Sequence, residues 1–220
     1  METKDLHIDK SNDLHMDNID KSNDLHTDKS NDLHMDKSND LHIIAVTGPD
    51  INNGPGFRVT IWVSGCTHAC PGCQNKHTWK YAQGHKLDDM VPYTNITYKD
   101  KILNLIGDEH IDGVTISGGD PLDQSVQALE ELAKFLSNIK KRYPEKSIWL
   151  YTGYLIEDLK NYHHKEVIKN CDVIIDGPYV KEKRNITIPF RGSTNQRIID
   201  IQKSFKENKI CMIDDSEFVK

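Results

Sequence analysis

Three cysteines stand within eight residues, in Cys66-Thr67-His68-Ala69-Cys70-Pro71-Gly72-Cys73. This C-x3-C-x2-C spacing lets one loop wrap three thiolates round a soft metal centre, with Pro71 and Gly72 supplying the turn. Three chemistries compete for it. Inert buried thiols fit poorly beside Thr67, His68 and Gly72. Zinc needs a fourth ligand, for which His68, His77, Cys171 and Cys211 are candidates. An iron–sulfur cluster suits thiolates. With three local cysteines in place of the usual four, one iron would stay open for a substrate or cofactor. Of the other two cysteines, Cys171 opens an apolar run and reads as a small buried hydrophobe, and Cys211 has no evident partner.

The elements around the loop place it. Val59-Thr60-Ile61-Trp62-Val63 is a β-rich run that ends at Ser64-Gly65, directly before the first cysteine. Further strands are predicted at 43–46, 114–117, 147–151 and 171–176, and each of the last three stops at a glycine. Helical spacing falls over 100–106, 125–142 and 155–168. Strands alternating with helices predict an α/β fold with a mainly parallel sheet, whose ligand site lies at the carboxyl ends of the strands. The span 43–220 is shorter than the roughly 250 residues of a complete eight-fold barrel, so an open partial (β/α) barrel is expected.

Charge is distributed unevenly. The 220 residues carry 28 Lys+Arg and 34 Asp+Glu. Residues 1–42 hold 5 Lys against 11 acidic side chains, and the remainder holds 23 of each sign. A neutral body leaves no electrostatic footprint for nucleic acid. No apolar run approaches the roughly 18 residues of a membrane helix. The N-terminus, with Glu2 and Asp5, does not read as a secretory signal, so a reducing cytoplasmic setting is expected, where cysteines do metal or redox chemistry. The first 42 residues are a degenerate repeat in which Leu-His recurs at Leu6, Leu14, Leu25, Leu33 and Leu41. A step of eight residues turns the helical face by about 80° each time, so the leucines make no stripe. Few apolar and no aromatic residues leave too little to bury, and a disordered tail over 1–42 is expected.

Beyond the cysteines, Asn53-Gly54-Pro55-Gly56, Asn75-Lys76, Thr78-Trp79, Ser117-Gly118-Gly119-Asp120-Pro121-Leu122, Thr152-Gly153-Tyr154, Asp176-Gly177 and Arg191-Gly192-Ser193-Thr194-Asn195-Gln196 follow in order. With the C-x3-C-x2-C loop, this set resembles the radical S-adenosylmethionine (SAM) enzymes, and within them the activators of anaerobic ribonucleoside-triphosphate reductases. The resemblance implies one [4Fe-4S] cluster on Cys66, Cys70 and Cys73, its open iron taking the amino and carboxylate groups of SAM. It implies a deoxyadenosyl radical that makes a glycyl radical on the reductase large subunit, fed by an unidentified electron donor. Another glycyl radical enzyme, of formate-lyase type, is the alternative substrate. A zinc-stabilised module without catalysis is the reading from another class.

Gly72, Cys73, Gln74, Gly118, Gly119 and Asp120 are the expected SAM contacts. The glycines would permit close backbone approach, and Asp120 would accept from the SAM ammonium unless it serves as a helix cap. Gln74 stands where the family often has Tyr. His68 is expected to support the cluster from behind its ligands, Trp62 and Trp79 to pack, and Arg58 and Arg191 to pair with the SAM carboxylate or with the partner protein.

Overall fold

In the computed structural model, residues 37–218 are described. The expected tail lies outside them as far as residue 36. Residues 37–42 are described and join the body: Leu41 is buried, and Met35–Lys220 forms one unit.

The architecture follows from the connections. Strand β1 (His42–Asp50) and strand β2 (Arg58–Val63) are joined by a short turn containing Asn53-Gly54-Pro55-Gly56, so they pair antiparallel. The next connection begins with the cysteine loop, passes the two-residue strand β3 (His85–Lys86), and continues through helix α1 (Tyr98–Ile106) to β4 (Gly113–Gly118). Helix α2 (Val126–Arg142) then leads to β5 (Ser147–Tyr151), and helix α3 (Tyr162–Ile168) to β6 (Val173–Asp176). Each helical crossover sets the next strand parallel: β2 to β4, β4 to β5, β5 to β6. A final strand, β7 (Arg197–Asp200), returns antiparallel to β6 and runs directly into α4 (Ile201–Glu207).

The seven-stranded sheet has the order β3-β1-β2-β4-β5-β6-β7, and its two end strands do not meet. It is an open α/β sheet with a parallel centre and antiparallel flanks. The flanks correct the expectation of a mainly parallel sheet, because short connections, not helices, join β1 to β2. Residues 155–168 are a second correction. A 3-10 turn at Ile156–Asp158 precedes a helix confined to Tyr162–Ile168, capped by Asn161, whose side chain accepts from His163 N. Helix α1 starts two residues before the predicted Asp100, because Thr97 and Asp100 form a capping box.

Alternation along the strands builds two layers. Ile148, Leu150, Ile174 and Ile199 face the main core with Val59, Ile61, Val114 and Ile116, where Leu129, Leu132, Leu136 and Ile139 of α2 cover them. Their neighbours Trp149, Val173, Ile175 and Ile198 face the other side, with Phe190 and Phe218 packed against them. Ser125 caps α2 by accepting from Ala128 N, and Lys140, Lys141 and Arg142 complement its C-terminal dipole. Each fully buried aliphatic side chain in this core contributes about 1.5–3 kcal/mol, and the resulting rigid sheet fixes the strand ends.

Candidate active site

The carboxyl ends of β2, β4, β5 and β6 meet in one cleft. Cys66, Cys70 and Cys73 line it with His68, Trp79, Gly118, Gly119, Asp120, Thr152, Gly153, Gly177 and Tyr179. The sequence expectation thus brings the three thiols and the Gly-Gly-Asp turn together. Gly72 and Gln74 are exposed and are not among the residues lining the cleft.

The cysteine loop is held at both ends by backbone bonds. Gly65 N donates to Thr78 O at 2.7 Å and Cys66 N to Trp79 O at 3.0 Å, while Cys73 N closes a turn on Cys70 O at 3.1 Å. Within the loop Ala69 and Gly72 take left-handed backbone angles, φ 47° and 79°. At Gly72 only glycine does so without strain.

The glycines at the end of β4 also fit closely against the chain beside them. A Cβ on Gly119 would lie 2.2 Å from Gly65 O, and one on Gly118, at φ 111°, would lie 2.5 Å from Val63 O. Their bareness lets the end of β4 close against the start of the cysteine loop. Gly119 N donates to Val63 O and Asp120 N to Gly65 O across that seam.

Asp120 makes several bonds within the protein. It is 1% exposed, and its carboxylate is already occupied by the protein. Oδ1 accepts from Leu122 N at 2.8 Å. Oδ2 accepts from Gly153 N at 2.8 Å and from the Thr152 hydroxyl at 3.0 Å, and it meets His68 Nε2 at 2.7 Å. This carboxylate therefore ties β4, β5 and the cysteine loop together. Its hydrogen bond raises the His68 pKa against the opposing effect of burial, and the His68 ring sits edge-on to Tyr154 at 4.5 Å. The Gly153 backbone lies so close that a Cβ there would touch the imidazole at 2.7 Å.

A second buried carboxylate, Asp123, passed unnoticed in the sequence. Its Oδ2 accepts from both the backbone N and the hydroxyl of Thr67, each at 2.6 Å, and its Oδ1 accepts from Tyr154 OH at 3.0 Å. Burial pushes its pKa up, but Lys37 and Thr67 outweigh that and hold it at about 2. It follows Asp120 by one turn of chain, which is the signal that could have singled it out. Gln196, at the other side of the cleft, gathers the Arg191–Gln196 loop. Its Oε1 accepts from Gly192 N and Ser193 N, and its Nε2 donates to Gly177 O.

The two arginines lie elsewhere. Arg58 is wholly buried at the opposite ends of the strands. It donates to Thr115 Oγ1, Ser147 Oγ, Val114 O and Ser147 O, and burial lowers its pKa to about 10. It is closed to any ligand of the cleft. Arg191 pairs with Asp215 and donates to Gln196 O. Cys171 is buried, as expected, and Cys211 is buried beside Glu207. Trp62 packs with its Nε1 donating to Thr47, whereas Trp79 joins the cleft wall.

All three loop cysteines are free thiols, and burial raises the pKa of Cys66 to about 12 and also raises that of Cys70. Backbone N–H groups already aim at sulfur: Asn75 N at Cys73 Sγ, 3.4 Å, and Tyr179 N at Cys70. Iron at the thiolates would reverse the burial effect, and such N–H bonds stabilise sulfur-borne negative charge. Among the described residues no three His, Cys, Asp or Glu side chains converge as ligands of a single ion would. The three thiols line one cleft. The donor set fits a thiolate-bound iron–sulfur centre.

An open α/β sheet with a three-cysteine loop at its strand ends defines an iron–sulfur protein, and residues 52–199 match the family described as 4Fe-4S single cluster domain. Curated relatives sharpen this. The anaerobic ribonucleoside-triphosphate reductase-activating protein of enterobacteria phage T4 is 42% identical over 149 residues, 68% of this chain and 87% of that protein. Its namesake in Escherichia coli K12 is 39% identical over 149 residues, 67% of this chain and 90% of that protein. The namesake in Haemophilus influenzae is 38% identical over 151 residues, 68% and 91%. The chain belongs to the family of anaerobic ribonucleoside-triphosphate reductase-activating proteins. Among solved structures, QueE from Escherichia coli overlaps it distantly, with a TM-score of 0.33 and 20% identity over 51% of this chain and 53% of that one.

Proposed function

We propose that this chain binds one [4Fe-4S] cluster through Cys66, Cys70 and Cys73, takes SAM in the adjoining cleft, and installs a glycyl radical on the large subunit of an anaerobic ribonucleoside-triphosphate reductase. The observation that carries the reading is the convergence of the three thiols with the Gly118-Gly119-Asp120 turn at the strand ends. The bound cofactors supply a radical able to take hydrogen from a glycine α-carbon.

The chain's own residues bind, orient and exclude water. Gly118 and Gly119 let the β4 end seat against Gly65, which fixes the distance between cleft floor and cysteine loop. Asp120 acts as a positioning residue. By holding His68, Thr152 and Gly153 on one carboxylate it keeps β5 and the loop in register, and the cleft-lining residues Gly118, Gly119 and Gly153 are left to meet SAM. His68 sits behind the ligands and steadies the loop. Trp79 and Tyr179 wall the cleft against water. Gly72 and Gln74 shape the loop's outer turn. In this reading residues 43–220 are an open, partial barrel of radical SAM type, and the unclosed sheet leaves room for a loop of the reductase to reach the cleft.

Reduced protein mixed anaerobically with SAM and the reductase should give a glycyl radical signal by electron paramagnetic resonance. Absence of the signal from protein with a verified cluster would reject the assignment, and a signal only with a formate-lyase-type partner would move it to that enzyme.

A further inference from the structure

Residues 37–42 are the last copy of the N-terminal repeat, and they are docked. Lys37 Nζ meets the buried Asp123 Oδ1 at 2.6 Å. The Ser38 carbonyl accepts from the hydroxyl of Ser125, the cap of α2, at 2.7 Å. Asp40 pairs with Lys86 at 2.5 Å, Leu41 N donates to Glu131 Oε2 at 2.8 Å, and the Leu41 side chain is 1% exposed in the main core. The segment therefore crosses the N-terminus of α2 and enters β1, tied to the body through Lys37, Ser38, Asp40 and Leu41.

One of those contacts leads to the cysteine loop. Asp123 is the buried carboxylate that holds Thr67 by its backbone N and its hydroxyl. Its carbonyl accepts from Tyr81 OH, and the Tyr81 ring lies against Gly65, immediately before Cys66. Among the described residues Lys37 is the sole salt-bridge partner of Asp123. A buried carboxylate stripped of its cation turns to water or reorients, and its remaining bonds weaken.

We propose that the last repeat copy is a strap that positions the cysteine loop through Lys37, Asp123 and Thr67, and that neighbouring copies are interchangeable in this role. Asp28-Lys29-Ser30-Asn31-Asp32-Leu33-His34 is identical, residue for residue, to Asp36-Lys37-Ser38-Asn39-Asp40-Leu41-His42. Removing residues 35–42 joins the earlier copy to Ile43 and restores the same docking sequence. Lys37 is a positioning residue, since it acts on the loop through Asp123.

The inference draws its catalytic meaning from the cluster reading, but its test needs no cluster. Amide hydrogen exchange on the full-length, metal-free chain reports Thr67 directly. Lys37→Ala should speed exchange at Thr67 about tenfold while Val114–Ser117 stays at the parent rate. Lys37→Arg should restore protection, and the deletion of 35–42 should match the parent chain. Unchanged Thr67 exchange in Lys37→Ala overturns the strap. Equal acceleration throughout the chain overturns it too, since that marks general destabilisation. Fast Thr67 exchange in the 35–42 deletion overturns interchangeability. Failure of the cluster reading would show separately, in iron content.

Discussion

The two ends of the parallel strands are built in opposite ways. At the amino ends, Arg58 is buried with its donors spent on Thr115, Val114 and Ser147. At the carboxyl ends, carboxylates are buried too, but what they hold is loop: Asp120 grips His68 and Gly153, and Asp123 grips Thr67. Between them three thiols face a cleft without protein partners of comparable strength. A charged group whose bonds all close within strands stabilises; charged groups whose bonds reach out to a loop position it for something else. The same sheet thus carries an inert end and a chemical end, as parallel sheets generally do.

Breaking each end in turn tests that contrast. The largest effect belongs to the thiols. Cys66→Ala, Cys70→Ala or Cys73→Ala should each lower SAM cleavage at least a hundredfold and remove most bound iron, whereas Cys171→Ala and Cys211→Ala should keep both. Equal loss across all five would contradict the three-ligand reading. At the inert end, Arg58→Ala leaves buried acceptors unpaired and should cost about 3–5 kcal/mol. Thermal unfolding reads that loss, with the SAM dependence of whatever folded protein remains unaltered.

Asp120→Asn should be milder for the fold and sharper for function. It keeps the size of the side chain but replaces one acceptor oxygen with a donor, which disturbs His68, Thr152 and Gly153 together. A ten- to hundredfold drop in SAM cleavage with iron retained is expected; full activity would remove Asp120 from the positioning set. A smaller effect concerns acid. The Asp123 pKa lies at about 2 in the folded chain, below the ordinary carboxylate value of 3.8. Its contribution is therefore complete above pH 4 and is lost as pH falls from 4 towards 2, on the order of 2 kcal/mol. Unfolding monitored over that range should show the loss in the parent chain and less of it in Asp123→Asn. The smallest effect is expected from deleting residues 1–34, which spares the docked copy and should leave SAM cleavage within about twofold.

Much of the site was legible because its signals are local. C-x3-C-x2-C after a β-rich run, and Gly-Gly-Asp ending another, are short patterns that survive without knowledge of the fold. The alternation of strand and helix gave the α/β class for the same reason. What could not be read depends on distant pairs. Strand β7 at Arg197–Asp200 exists because it pairs with β6, and four residues carry too weak a pattern alone. Gly118 and Gly119 line the cleft as expected of them, and their close fit against Val63 and Gly65 is a pairing that no local pattern announces. Arg58 looked like a ligand contact because charge is visible in a sequence and burial of charge is not, and the protein bonds that fill the Asp120 carboxylate were invisible for the same reason. The repeat misled in the opposite sense. Its polar composition argued for a tail throughout, while one copy, with Leu41 in the core and Lys37 on Asp123, is part of the body.

The most direct measurement is the iron and sulfide content of anaerobically prepared full-length protein, with its absorption spectrum. About four irons per chain in a brown protein, lost on replacing any one of Cys66, Cys70 and Cys73, is the predicted result. A colourless protein holding a single tightly bound zinc would contradict it.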